Sequence, residues 1–100
     1  MLSNIFVKKF GGTSVGSIER IENVAEIVSE GIRNGQKPIV VVSAMAGETN
    51  RLVRLANDIY PNYRGPAYDS LLASGEQVSM SLLAMALEKR GIQTESFLGF

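Results

Sequence analysis

The chain has no cysteine and no histidine among its 100 residues. Without cysteine there is no disulfide and no thiolate metal site, and without histidine the usual general base and the commonest metal ligand are missing. Ser-His-Asp and Cys-His mechanisms are therefore excluded within this sequence. An excess of one charge is lacking too. Ten Lys and Arg balance ten Asp and Glu, so no net field recommends nucleic acid or an anionic membrane as a partner. Apolar stretches are broken by charge well before the roughly 18 residues of a membrane span. The segment Met1 to Phe10 is too short for a signal sequence and places its lysines after the apolar residues. No membrane partner and a cytoplasmic location are expected.

What is present suits a folded α/β core. The hydrophobic fraction is 45%, more than disordered chains carry. This length makes one small domain or part of a larger one. Asn4 to Phe10 reads as a short buried strand. From Ser17, the residues Ile18, Ile21, Val24, Ala25, Val28 and Ile32 recur at helical spacing. Ser17 suits the N-cap, Glu19 and Glu22 the positive end and Arg33 the negative end, and Gly35 stops the helix. Pro38 to Ser43 is nearly all β-branched, as in a central parallel strand covered on both faces.

A loop over Ala44 to Glu48 then leads into a helix beginning at Thr49 or Asn50 and reaching about Tyr60. The turn-rich stretch Pro61 to Pro66 precedes a brief helix over Ala67 to Ala73. Ser74-x-x-Gln77 fits a capping box opening a long helix to about Arg90, and Gln93 to Leu98 begins a third strand. The order β-α-β-α-α-β predicts a mainly parallel sheet between helix layers, a three-layer αβα arrangement. Ligands collect at the carboxyl ends of the strands in such sheets. Three loops sit there: Gly11 to Gly16, Ala44 to Glu48, and Gly99 onward. The final residues, Thr94 to Phe100, read as a strand entering a loop, which points to a fragment of a longer protein.

The first of these loops is the most informative. Residues 9–17 read K-F-G-G-T-S-V-G-S between a strand and a helix. Gly11 and Gly12 have no Cβ and tolerate positive φ, so backbone N–H groups can close on an anion. The following helix aims its positive end at the same place. Lys9 adds a whole mobile charge. Alternation puts Lys8 and Lys9 on opposite faces, with Lys9 favoured as the phosphate contact and Lys8 as solvated. Thr13 and Ser14 offer hydroxyls that suit phosphate or the turn itself equally. Neither G-x-x-x-x-G-K-[ST] nor G-x-G-x-x-G is present.

Two further segments carry chemistry. Ser43 to Asn50, S-A-M-A-G-E-T-N, has small residues that permit close approach and hydroxyls at Ser43 and Thr49; taken alone, an ordinary turn with Thr49 as N-cap is the favoured account. In Ser74-Gly75-Glu76-Gln77, the residues themselves favour a helix start, with Glu76 suited to the helix dipole and Ser74 with Gln77 to a cap. Arg51 and Arg54 are near enough in sequence to assist an anion site, although solvated helix arginines are commoner.

The strings K-F-G-G-T-S-V, V-V-S-A-M-A-G-E-T-N and L-L-A-S-G-E-Q-V-S, in this order, resemble the aspartate kinases of the amino-acid kinase superfamily. The resemblance covers the whole chain. It implies the carbamate kinase-like fold, with residues 1–100 as the amino-terminal segment of the catalytic domain, the nucleotide-binding half and ACT domains lying outside them. It further implies transfer of the ATP γ-phosphoryl group to the β-carboxylate of L-aspartate, with Mg2+ bound alongside the nucleotide, at the start of lysine, threonine and methionine biosynthesis. A homo-oligomer is expected of the full-length enzyme.

By the same resemblance, Lys9, Phe10, Gly11, Gly12, Ser14 and Ser43 would contact ATP phosphates, Lys9 stabilising the transition state. Ser43, Ala44, Thr49 and Glu76 would hold aspartate, Glu76 by its amino group. No protein metal ligands are implied, and the segment alone is expected to be inactive. Two alternatives stay open: another amino-acid kinase, such as an acetylglutamate or glutamate 5-kinase, and a non-catalytic anion-binding module.

Overall fold

The computed structural model describes residues 5–95. Strand β1 runs over Ile5–Phe10, helix α1 over Ile18–Arg33, strand β2 over Lys37–Val42, helix α2 over Glu48–Ile59 and helix α3 over Pro66–Lys89. β1 and β2 pair in parallel, with Ile5 opposite Lys37 and Phe10 opposite Val42. Helix α1 is the crossover such a pair requires. It starts where the sequence predicts: Ser17 is extended, and its hydroxyl accepts from the Arg20 N–H at 3.2 Å. The chain leaves α1 through Asn34 and a left-handed Gly35 with φ of +89°, a backbone state that glycine enters at no steric cost.

The core lies on one face of the sheet. Val15, Ile21, Val24, Ala25 and Val28 meet Leu83, Ala86 and Leu87 of α3, with Phe10, Val40 and Val42 packed against them from the strands. The opposite face is uncovered among the described residues: Ile39 and Val41 are 54% and 46% exposed, and Val7 63%. The pair of parallel strands with helices on one side is consistent with part of the expected αβα arrangement.

Helix α3 departs from expectation. The sequence suggested a short helix and then a capping box at Ser74, but one helix runs continuously from Pro66 to Lys89. Pro66 takes its first position, where a missing N–H costs nothing. Once nucleated, a helix gains one hydrogen bond per residue added. Ser74 adapts by donating its hydroxyl to the Leu71 carbonyl one turn back. By length and composition α3 would be able to cross a membrane. Its buried residues Gly75, Ser79, Leu83, Ala86 and Leu87 instead make it the core helix of this fold. Of the expected third strand, residues 93–95 belong to no strand; its remainder and the loop from Gly99 lie outside the described residues.

Charged side chains fasten α1 to the end of α3. Arg90 donates from Nε to Glu26 at 3.1 Å and from Nη2 to Glu22 at 3.0 Å, while its Nη1 donates to the Ala86 carbonyl at 2.8 Å. Lys89 bonds both oxygens of Glu22 at 2.9 Å, and Arg33 reaches Glu26 at 3.1 Å. Hydrogen bonds from Lys89 and then Arg90 hold the Glu22 carboxyl below its ordinary 4.5. Arg90 and then Arg33 do the same for Glu26.

A carboxyl whose pKa is lowered by folding stabilises above its unfolded value, and that contribution disappears as pH falls through the lowered one. Denaturant midpoints are therefore expected to hold steady above about pH 5 and to fall on further acidification. Substitution Arg90→Leu should flatten this dependence, and an equally steep acid limb in that variant would show that the cluster is not its source.

Candidate functional site

The loop after β1 is held by its own backbone. Ser14 N–H donates to the Gly11 carbonyl at 3.0 Å and Gly16 N–H to the Thr13 carbonyl at 3.3 Å. Val15, wholly buried, roots the loop in the core. Among the described residues, the N–H groups of Gly11, Gly12 and Thr13 have no backbone acceptor outside the strand ladder. The glycines serve differently from expectation. Neither Gly11 nor Gly12 has positive φ; the left-handed glycines are Gly35, Gly47 and Gly91. Gly12 is needed for space, because a Cβ there would lie 3.0 Å from the Ala44 carbonyl oxygen.

Ala44 is where the three segments meet. It is 7% exposed, at the carboxyl end of β2. Gly12 closes on its carbonyl from one side. Gly75 of α3 closes from the other: a Cβ on Gly75 would lie 3.1 Å from the Ala44 Cβ, 3.3 Å from Leu52 and 3.4 Å from Glu48. Gly16 rests against Ala46 in the same way, at 3.4 Å. Residues far apart in sequence are thus brought to one end of the sheet by close contacts at Gly12 and Gly75 that leave little room for a larger side chain.

The remaining predicted residues take definite places. Lys9 is exposed and pairs in register with Val41 on the open face, as alternation requires. Lys8 is half-buried on the covered face, its Nζ 3.7 Å from where a Gly31 Cβ would stand, so it is packed rather than solvated. Phe10 packs against the core, leaving its backbone to the site, where its carbonyl accepts from Ser43 N–H at 3.1 Å. That bond extends the ladder one step and keeps Ser43, exposed, on the face of Lys9 and Val41.

Ser14 is half-buried, and its side chain has no hydrogen-bond partner among the described residues. α2 is capped by Gly47 at φ of +82°, with Glu48 first in the helix. Thr49 is therefore exposed within the first turn and is not the cap. Glu76 is exposed on α3, immediately after the buried Gly75.

Two arginines change standing. Arg51 grips Glu48 through two bonds of 3.0 and 2.7 Å, and it holds that carboxyl below its ordinary value. Its charge is committed. Arg20, which the sequence reading passed over, donates from Nη1 to the Thr13 carbonyl inside the glycine loop at 3.2 Å. One signal pointed to it: a cation in the first turn of a helix opposes the macrodipole and needs a local partner. A cavity of about 570 Å³, lined by Val28, Ile32, Val40, Leu83 and Leu87 among others, lies toward the opposite end of β2 and is not lined by Gly11 to Gly16 or Ala44 to Glu48.

Comparison with known proteins gives the family and the fold. Residues 4–100 match the model of the amino acid kinase family. An aspartokinase of Pseudomonas aeruginosa is 52% identical over 95 residues, which are 95% of this chain and 23% of that protein. An aspartate kinase structure from Synechocystis superposes with a TM-score of 0.83 at 48% identity, over 86% of this chain and 15% of that one. Escherichia coli aspartokinase III, solved with aspartate and ADP, superposes with a TM-score of 0.73 at 27% identity, over 93% of this chain and 30% of that one. The chain thus spans about a quarter of the length of the curated relatives it matches.

The two loop glycines should respond differently to a methyl group. Gly12→Ala forces a Cβ onto a backbone carbonyl that cannot swing aside and is expected to cost about 1–3 kcal/mol. Gly11→Ala meets nothing within 4 Å and should stay within about 0.5 kcal/mol of the parent. Denaturant unfolding of both variants checks this; equal losses would remove the steric reading of Gly12.

Proposed function

The chain belongs to the amino acid kinase family, and from that premise we propose that it supplies the phosphate-binding loop and the acceptor-binding residues of an aspartate kinase. The observation that carries this is the junction at Ala44, which gathers the glycine loop, the β2–α2 loop and the Gly75–Glu76 turn of α3. The relatives aligned over nearly the whole chain bear that activity in their names, and aspartate and ADP were both bound in the solved relative from Escherichia coli.

The chemistry agrees with what the sequence lacks. A carboxylate nucleophile is ionised at neutral pH, so attack on the γ-phosphoryl group of ATP needs no general base and no histidine. What the reaction demands is positioning and neutralisation of charge spread over the transferring group. The N–H groups of Gly11, Gly12 and Thr13, the amino end of α1 and Lys9 meet that demand from one side. Phe10 contributes its backbone there, and the Ser14 and Ser43 hydroxyls add donors. Ser43, Ala44 and Thr49 line the acceptor side, where Glu76 takes the ammonium group of aspartate through a charge-assisted bond.

Mg2+ would arrive with the nucleotide. No group of three acidic side chains suited to a metal occurs among the described residues, and Glu48 is engaged by Arg51. The nucleotide-binding half, ACT domains and the contacts of a homo-oligomer would lie outside residues 1–100, in a cytoplasmic enzyme of amino-acid biosynthesis.

The test uses the full-length parent enzyme with ATP and a panel of L-aspartate, L-glutamate and N-acetyl-L-glutamate. Phosphorylation of aspartate alone is expected; preference for either glutamate compound would replace this reading with that of a sister kinase. Lys9→Met should lower kcat by about 100-fold or more, whereas Glu76→Gln should act mainly through a higher KM for aspartate. Turnover by residues 1–100 alone would refute the view that they form part of a site.

A further inference from the structure

We infer that Arg20 is a positioning residue of the phosphate loop, locking the Thr13–Ser14 peptide plane so that the Thr13 carbonyl is held away from the anion. The inference rests on the kinase reading above for its catalytic consequence, and on the local geometry for its structural one. Arg20 is the third residue of α1, where the helix already carries about half a positive charge. A cation is disfavoured there unless a nearby acceptor takes it. The acceptor is the Thr13 carbonyl, which receives Arg20 Nη1 at 3.2 Å and also the Gly16 N–H at 3.3 Å.

The peptide joining Thr13 to Ser14 is planar, so its carbonyl and its N–H point in opposite directions. The N–H end is fixed by the Gly11 carbonyl at 3.0 Å. Arg20 helps to fix the other end. The unit is therefore tied at both poles, and Thr13 is kept from presenting its carbonyl oxygen to a phosphate. A loop clamped in this way needs no reorganisation when the anion arrives, which is the condition under which fixed dipoles are most effective. The guanidinium also brings a permanent positive charge to the loop. Arg20 is held in register for this task by Ser17, whose hydroxyl caps the Arg20 N–H itself. Gly12 and Gly16, wedged against Ala44 and Ala46, oppose it from the β2 side.

The experiment compares Arg20→Gln and Arg20→Lys in the full-length enzyme by steady-state kinetics with ATP and aspartate, by thermal unfolding, and by amide hydrogen exchange at Ser14 and Gly16. Arg20→Gln should lower kcat about 10- to 100-fold, with the KM for aspartate and the melting temperature unchanged. Exchange at Ser14 and Gly16 should quicken while the interior amides of α1 keep their protection. Arg20→Lys, which retains a charge and a donor, should recover part of the rate and of the protection. Unchanged exchange at Ser14 and Gly16 in Arg20→Gln would overturn the clamp whatever the substrate proves to be. Loss of rate that tracks a falling melting temperature in both variants would reduce Arg20 to a structural residue. If the parent enzyme proves inactive on aspartate, the kinase reading fails by itself, and the exchange data still decide the clamp.

Discussion

The contact between Ala44 and two glycines fixes the geometry on which the site depends. Gly12 approaches the Ala44 carbonyl and Gly75 its methyl, each at a distance that excludes one further carbon atom. Such contacts are stiff because close-packed interiors do not accommodate added volume smoothly. They also involve backbone or near-backbone atoms rather than the ends of long side chains. The loop after β1, the end of β2 and the middle of α3 are consequently set against one another without any rotamer having to be chosen. Leu52 and Glu48 extend the same junction to α2.

Around this rigid centre the polar groups divide into two populations. Glu22, Glu26 and Glu48 are each paired with arginine or lysine, and all are held in their ionised form by those partners. Lys9, Ser43, Thr49 and Glu76, by contrast, have side chains with no hydrogen-bond or ion-pair partner among the described residues. The paired carboxylates contribute to holding helices in place. The unpaired groups lie along the end of the sheet where the junction gathers the loops. Side chains of both signs left uncommitted are what the proposed pair of a nucleotide phosphate and an amino acid would require.

The helices, the parallel pairing and the strand-end location of the loops were legible in the sequence because each has a local cause. Ser17 caps, Gly35 terminates, and the Ile21–Val24–Val28 spacing can bury only one face of a helix. The misreadings share a different cause. Ser74 and Gln77 match a capping signature, but whether a helix begins there depends on whether one is already running through. The glycine pair announced a tight loop correctly, while the reason for Gly12, a carbonyl more than thirty positions later in the chain, had no trace in the local sequence. Arg20 was legible in principle, as a charge of the wrong sign for its place in the helix.

The open face of the sheet adds a coupling between folding and chemistry. Lys9 leaves β1 on the side of Val7, Ile39 and Val41, all well exposed. Any layer that covers these apolar residues must also share its environment with Lys9. Covering the face would lower the local dielectric, which strengthens attraction between the ammonium and a phosphate but also makes an unpaired ammonium expensive. The two effects oppose each other until an anion is present, and then both favour its retention. An exposed Lys9 is thus compatible with a site whose affinity rises as the sheet is enclosed. The same step that buries the apolar face would turn a solvated lysine into a strong phosphate ligand.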